Sequence, residues 1–200
     1  MTDTTDAHQQ RLSDLGVPTR MAELIVNGSV DSSAAVLEVR RWLASEKLVL
    51  VLHGPYDSGK TVAASVAVET ASASSGGSAA RFVDVAVLLG PWENLGPSTF
   101  DPITKLNKEQ LLTCCCLVID SLGFEFTHER EDVLEALETL LLHRCCQGLR
   151  TLLISNHRTP TEVAAHLDDG RLGRFGRCIE NYGVYFHCPF EGYRRRMPQG

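Results

Sequence analysis

Val49-Leu50-Val51-Leu52-His53-Gly54-Pro55-Tyr56-Asp57-Ser58-Gly59-Lys60-Thr61-Val62 decides how this chain folds. It reads as a buried strand, then a glycine-framed turn ending in Lys-Thr, then the apolar, alanine-rich start of a helix. G-x-x-x-x-G-K-[ST] between a strand and a helix is the pattern of a phosphate-binding loop. Gly54 and Gly59 let backbone N–H groups curl around a triphosphate, and the helix N-terminus adds a fixed positive end. The expected nucleotide contacts are therefore Gly54, Pro55, Tyr56, Asp57, Ser58, Gly59, Lys60, Thr61 and Val62. In that arrangement Lys60 reaches the β- and γ-phosphates, and the Thr61 hydroxyl completes a Mg2+ shell. Asp57 puts a negative charge inside a turn expected to hold phosphate, and that charge either points outward or weakens the grip. The alternative reading of the same residues is an ordinary glycine turn.

Outward from the loop, strands and helices alternate. Asp31, Ser32 or Ser33 caps a helix carrying Val36, Val39, Trp42 and Leu43. After the loop helix comes a Ser-Gly link at 74–77, then a second strand over Arg81 to Leu88, apolar enough to be buried on both faces. A short helix from Lys105 to Leu112 leads into a third strand, Cys114 to Asp120. Val133, Leu137, Leu140, Leu141 and Arg144 share one face of a helix over Glu129 to Cys146. Leu149 to Ser155 is a fourth strand. Thr159-Pro160-Thr161-Glu162 is a capping box opening a helix to Leu167, and Gly183 to Cys188 is a fifth strand. The fold class is α/β: a three-layer P-loop sandwich around a mostly parallel five-stranded sheet with right-handed crossovers. Residues 1–15 read as a short polar segment, frayed at 1–10. Residues 16–196 are one ATP-binding domain without a separate C-terminal lid, and 197–200 are a tail.

Composition narrows the function classes. In 200 residues, 44% are hydrophobic and 22% charged, which suits one globular domain rather than a disordered chain. A net charge of −6 argues against a protein that coats polyanions wholesale, though a local basic patch is compatible with it. No apolar run approaches a membrane span, and Met1-Thr2-Asp3-Thr4-Thr5-Asp6 lacks a signal peptide's basic and apolar regions, so the expectation is a cytoplasmic protein. Among the seven cysteines, Cys114-Cys115-Cys116 and Cys145-Cys146 are adjacent and there is no C-x-x-C pair. Adjacent strand residues face opposite ways and cannot clasp one tetrahedral ion, so these thiols read as small core residues.

The second half of a nucleotide site is an acid at the carboxyl end of a buried strand. Leu117-Val118-Ile119-Asp120 supplies it, with Asp120 holding magnesium through water opposite Thr61. ATP-hydrolysing proteins of this class place a second acid next, to polarise the attacking water. Here that position is Ser121, whose hydroxyl is no base at neutral pH. Glu125 is the nearest substitute; its other role, with Glu129, is to solvate a loop and cap the helix near residue 130. A fourth strand ends Leu152-Leu153-Ile154-Ser155-Asn156, where the amide either contacts the γ-phosphate and its water or simply turns the chain. Arg171, Arg174 and Arg177 form either a solvated basic loop or an arginine finger for a neighbouring subunit's ATP. Tyr193-Arg194-Arg195-Arg196, with Tyr185, suits a phosphate backbone, or else keeps a charged terminus soluble.

In combination these pieces resemble the AAA+ ATPases of the bacterial helicase-loader (DnaC-type) and transposition-helper (IstB-type) group. The order is the phosphate loop, Leu117-Val118-Ile119-Asp120-Ser121-Leu122-Gly123-Phe124-Glu125, Leu153-Ile154-Ser155-Asn156, then Arg171 to Arg174. The resemblance covers roughly residues 12–196, including the entry Gly16-Val17-Pro18-Thr19-Arg20 and the end at Glu191-Gly192-Tyr193-Arg194-Arg195-Arg196. It implies that Lys60 and Thr61 are Walker A, Asp120 Walker B, Asn156 sensor one and Arg174 the arginine finger, with Arg171 in support. It also implies Mg-ATP as the ligand, self-assembly with Arg174 acting in trans, and single-stranded DNA, a replicative helicase or a transposase as partner. Two departures stand out: Ser121 replaces the second acid, and only residues 1–15 stand ahead of the core, where loaders carry a domain that grips the helicase. Three functions follow: an ATPase or ATP-gated switch in replication or transposition; a module that binds ATP and oligomerises without hydrolysis; and a small-molecule P-loop kinase.

Overall fold

The short apolar runs assemble into one sheet. In the computed structural model, which describes residues 2–30, 32–75, 79–85, 108–123, 130–168 and 174–189, five strands lie side by side. They are β1 (Val49–His53), β2 (Arg81–Asp84), β3 (Cys116–Leu122), β4 (Arg150–Ser155) and β5 (Gly183–His187). Their order is β2-β3-β4-β1-β5, and every neighbouring pair is parallel. All carboxyl ends therefore point one way, and the crevice outside them is where open α/β sheets bind ligands.

Strand alternation explains why both faces are covered. Leu50, Leu52, Val118, Leu152 and Ile154 join a core with Val36, Val39, Trp42, Ala63 and Ala67, which lie on α3 (Ala34–Leu43) and α4 (Lys60–Ser74). Val49, Val51, Leu117, Ile119 and Leu153 face a second core on the other side. There Leu134, Leu137, Leu140 and Leu141 of α6 (Arg130–Cys146) meet Phe175 and Ile179 of α8 (Arg174–Tyr182). The short α5 (Lys108–Thr113) leads into β3, and α7 (Pro160–Asp168) follows β4. The three-layer sandwich is thus present.

Local signals behave as their chemistry dictates. Ser33 Oγ accepts from the Val36 N–H at 3.3 Å, capping α3. The Glu162 N–H donates to Thr159 Oγ1 at 3.1 Å, while Glu162 Oε2 accepts from the Arg158 N–H at 2.8 Å, one residue further back than a standard box. The cysteines are all free. Burial pushes the Cys116 thiol up to about 12, so it is an inert core group. The described residues contain no cluster of three or more metal-binding side chains. Nor do they contain a helix long and apolar enough to cross a membrane.

Three helices replace segments expected to be frayed or irregular. Residues 2–14 form α1 (Thr2–Asp14), not a frayed polar segment, because Leu12 is fully buried and Leu15 and Val17 follow it into the core. The chain is clamped there by the Phe82 N–H, which donates to Leu15 O at 2.8 Å. Gly16, at φ +88°, lies so close that an added Cβ would come within 2.1 Å of Phe82 O. Second, Thr19 and Arg20, the end of the expected entry segment, open a helix, α2 (Thr19–Val26). Third, Arg174 and Arg177 lie on α8 rather than in a loop. Strand β2 ends at Asp84, shorter than its apolar character implies, and residues 86–88 of the expected strand lie outside the described residues.

Arg144 ties the second core to the sheet. Its guanidinium is fully buried and donates to Thr151 Oγ1 (2.9 Å), Leu111 O (2.7 Å), Cys114 O (3.0 Å), Arg150 O (2.6 Å) and Cys114 Sγ (3.3 Å). A rigid fork with five donors is what this set of carbonyls requires. Arg144→Ala leaves several buried acceptors unpaired and opens a cavity, so unfolding free energy falls by about 3 kcal/mol or more in a denaturant titration. Arg144→Lys recovers only part of it.

Candidate functional site

The loop after β1 is shaped by close backbone contact. The Cys188 N–H donates to His53 O at 2.7 Å, bringing the end of β5 across the start of the turn. Gly54 has φ +137°, and a Cβ there would come within 2.4 Å of Cys188 O, so the position admits only glycine. Asp57 (φ 59°) and Gly59 (φ 81°) are also left-handed, which curls the turn, and α4 starts directly at Lys60. A left-handed aspartate is tolerated better than most side chains. This backbone requirement is a reason for Asp57 that the phosphate-loop pattern alone does not supply.

Lys60 is only 5% exposed. Its ammonium donates to Gly54 O (2.8 Å), Pro55 O (2.6 Å) and Ser58 Oγ (3.2 Å), using all three of its hydrogens. Ser58 Oγ in turn donates to Pro55 O at 2.8 Å. Burial lowers the Lys60 pKa, and Cys188, Asp120 and Asp57 oppose that shift. The next residue, Thr61, donates its hydroxyl to Asp120 Oδ2 at 3.1 Å. Lys60, Thr61 and Asp120, about sixty residues apart in sequence, are thus brought together.

Asp120 sits at a distortion. The β3–β4 register slips between Ile119, which pairs with Leu153, and Leu122, which pairs with Ser155, so one extra residue bulges from β3. Ser121 lies in the bulge at φ 69°, a conformation that costs about 1–3 kcal/mol for a residue other than glycine. Its N–H donates to Asp120 Oδ1 at 2.7 Å, and its hydroxyl donates to Asp84 Oδ2 at 2.8 Å. Asp84 is directly opposite Asp120 in the β2–β3 ladder. Burial raises the Asp120 pKa and Asp84 adds to the rise, while the Ser121 N–H and the Thr61 hydroxyl hold it down. In the sequence Asp84 reads as the middle of a longer strand and carries no mark of a site residue beyond the one it shares with Asp120, an acid after an apolar run.

Of the other expected residues, Asn156 follows directly on β4, whose last residue, Ser155, pairs with His53 at the head of the loop. It is half-buried there, beside the turn. Arg174 is the first residue of α8, and only its backbone is described. Glu125, Arg171 and the basic stretch 193–196 lie outside the described residues. Val62 is buried on α4, and Tyr56 is 61% exposed at the tip of the turn. His53, 2% exposed, has an Nδ1 without a hydrogen-bond partner among the described residues; its ring lies 5.2 Å from that of His187 and 6.3 Å from that of Tyr185.

Hydroxyl and carboxylate oxygens beside a lysine ammonium are the donor set for a hard divalent cation with a polyphosphate, and they fit Mg2+. Fold and site together define an α/β protein with a phosphate-binding loop at the carboxyl end of a parallel sheet. More particularly, the architecture is that of proteins that include DnaI, DnaC and DnaA. A crystal structure of DnaI is 21% identical, with a TM-score of 0.58, over 81% of this chain and 89% of that one. The DnaC helicase loader is 20% identical with a TM-score of 0.58, over 76% of this chain and 87% of that one. AMPPCP-bound DnaA from Aquifex aeolicus is 17% identical with a TM-score of 0.57; 83% of this chain covers 50% of that one. At such identities the likeness is one of fold. No protein-family model matches the sequence, and no curated protein does.

The buried imidazole gives the site a pH signature. Burial lowers the His53 pKa from 6.5, with His187 adding to the fall and the backbone at Arg158 and His157 opposing it. The unfolded chain therefore takes up that proton first. His53's contribution to stability is complete above 6.5 and is lost as pH drops towards the folded value. Unfolding titrations across this window should show a shallower acid-side loss for His53→Asn than for the unsubstituted protein. Parallel slopes would contradict a neutral, buried imidazole.

Proposed function

We propose that this chain binds Mg-ATP in the loop 54–62 and uses it to assemble with copies of itself on single-stranded DNA or on a replication or transposition partner, in the manner of helicase loaders and transposition helpers. One observation carries the reading: the Lys60 ammonium, the Thr61 hydroxyl and the Asp120 carboxylate converge at the carboxyl ends of β1 and β3. In this reading Lys60 exchanges the carbonyls of Gly54 and Pro55 for phosphate oxygens, which are charged acceptors and hold it better. Thr61 and Asp120 hold the cation, which neutralises phosphate charge when bound. The fold likeness to AMPPCP-bound DnaA and to the DnaC helicase loader supports the nucleotide and the class of partner. Arg174, at the start of α8, is the proposed finger into a neighbouring subunit's site, with Arg171 supporting it.

A second reading, a module that binds ATP and oligomerises without hydrolysing it, is favoured by one observation: the residue after Asp120 is Ser121, not an acid. Both readings require the same grip. Lys60→Ala removes a buried charge from the phosphates, which costs about 2–5 kcal/mol, so the dissociation constant of a fluorescent ATP analogue rises thirtyfold or more. Wild-type affinity in that variant would remove the loop from consideration. Size-exclusion with light scattering should show a larger species with an ATP analogue and Mg2+, and Arg174→Ala should abolish it while analogue binding persists. A monomer under every condition would dismiss the trans finger.

A further inference from the structure

The nucleotide reading leaves hydrolysis without its usual second acid. Resting on that reading, we propose that Ser121 and Asp84 together orient the water that attacks the γ-phosphorus. Ser121 touches the water, and Asp84 is a positioning residue behind it.

The argument starts from what a hydroxyl can still do once it is committed. Serine has one hydrogen and two lone pairs. The Ser121 hydrogen is given to Asp84 Oδ2 at 2.8 Å, so towards anything else its oxygen is an acceptor only. A hydroxyl free to rotate would as readily donate to a phosphate oxygen, which does nothing for a nucleophile. Held by a carboxylate, it presents lone pairs to a group that must itself donate, and water is that group. Asp120 has other duties: Oδ1 accepts the Ser121 N–H, Oδ2 accepts the Thr61 hydroxyl, and in the nucleotide reading its remaining lone pairs serve the cation.

Two further observations agree. The bulge between Ile119 and Leu122 turns Ser121 out of the regular ladder and holds it in the left-handed region. Bulges of this kind re-aim a side chain beside functional sites. Asp84 also ends β2 directly opposite Asp120, so the carboxylate that holds Ser121 lies one strand over from Asp120, and Ser121, Asp84, Thr61 and Asp120 are all only partly buried.

The step balances without a protein base. The water oxygen bonds to the γ-phosphorus, the bond to the β–γ bridging oxygen breaks, and ADP leaves with that electron pair. The water proton passes to a phosphate oxygen. Phosphoryl transfer asks the protein mainly for position and field, and a residue that only aims the water is sufficient.

The test measures steady-state turnover of Mg-ATP beside the affinity of a non-hydrolysable analogue, for the wild type, Asp84→Asn, Ser121→Ala, the double substitution and Ser121→Glu. Misaiming the water costs on the order of a hundredfold. Both single substitutions should therefore lower kcat by roughly ten- to a hundredfold, while KM and analogue affinity stay within about threefold. Since Asp84 acts through Ser121, the double substitution should fall no further than Ser121→Ala alone. Ser121→Glu should not exceed the wild type. If Asp84→Asn does not fold, Ser121→Ala decides by the same criterion. Wild-type kcat in either single variant overturns the proposal, as does a Ser121→Glu protein faster than the wild type. Tight analogue binding without wild-type turnover overturns it too, but leaves the nucleotide reading standing. Absence of analogue binding removes both.

Discussion

A buried ammonium sets the terms for everything around the loop. An exposed lysine needs nothing from its protein, but at 5% exposure Lys60 must find an acceptor for each hydrogen. The turn supplies them by pointing Gly54 O, Pro55 O and Ser58 Oγ inward. That in turn demands the positive φ at Gly54 and Gly59 and the close crossing of β5 at Cys188. One requirement therefore explains the loop's glycines, its tight packing against β5 and its fitness for a polyanion, because phosphate oxygens can take over positions now held by carbonyls.

A second, opposing constraint lies across the sheet. Parallel register puts Asp84 beside Asp120, and two half-buried carboxylates repel. The repulsion is eased by hydrogen bonds from Thr61 and from both the N–H and the hydroxyl of Ser121, with the Lys60 charge adding to the relief. A left-handed serine and adjacent acids both cost stability, and such costs cluster at functional sites. Here the costs are concentrated where a divalent ion would relieve them.

Much of this was legible in the sequence, for physical reasons. The loop, Asp120 and the buried strands announce themselves through local pattern: a turn that only glycine can make, and apolar runs ended by an acid. Sheet order and the Ser121–Asp84 contact did not, because the partners are 37 residues apart and nothing local encodes which strands become neighbours. Helix α1 was obscured because so much of it faces solvent, Leu12 being the one fully buried side chain among those described on it. Helix α8 was hidden by glycines and arginines that look like a loop, yet Phe175, Cys178 and Ile179 carry helical spacing and are buried. The acid that Ser121 bonds is Asp84, which lies one strand away rather than beside it in sequence.

The central claim is that nucleotide phosphates are held by the turn at Lys60 and by the acid end of β3. Hydrogen–deuterium exchange with and without a non-hydrolysable ATP analogue and Mg2+ tests it most directly. The account predicts slowed exchange concentrated in residues 53–62 and 116–123, with the outer helices α1 and α2 unchanged. Protection elsewhere with none in those two stretches would contradict it.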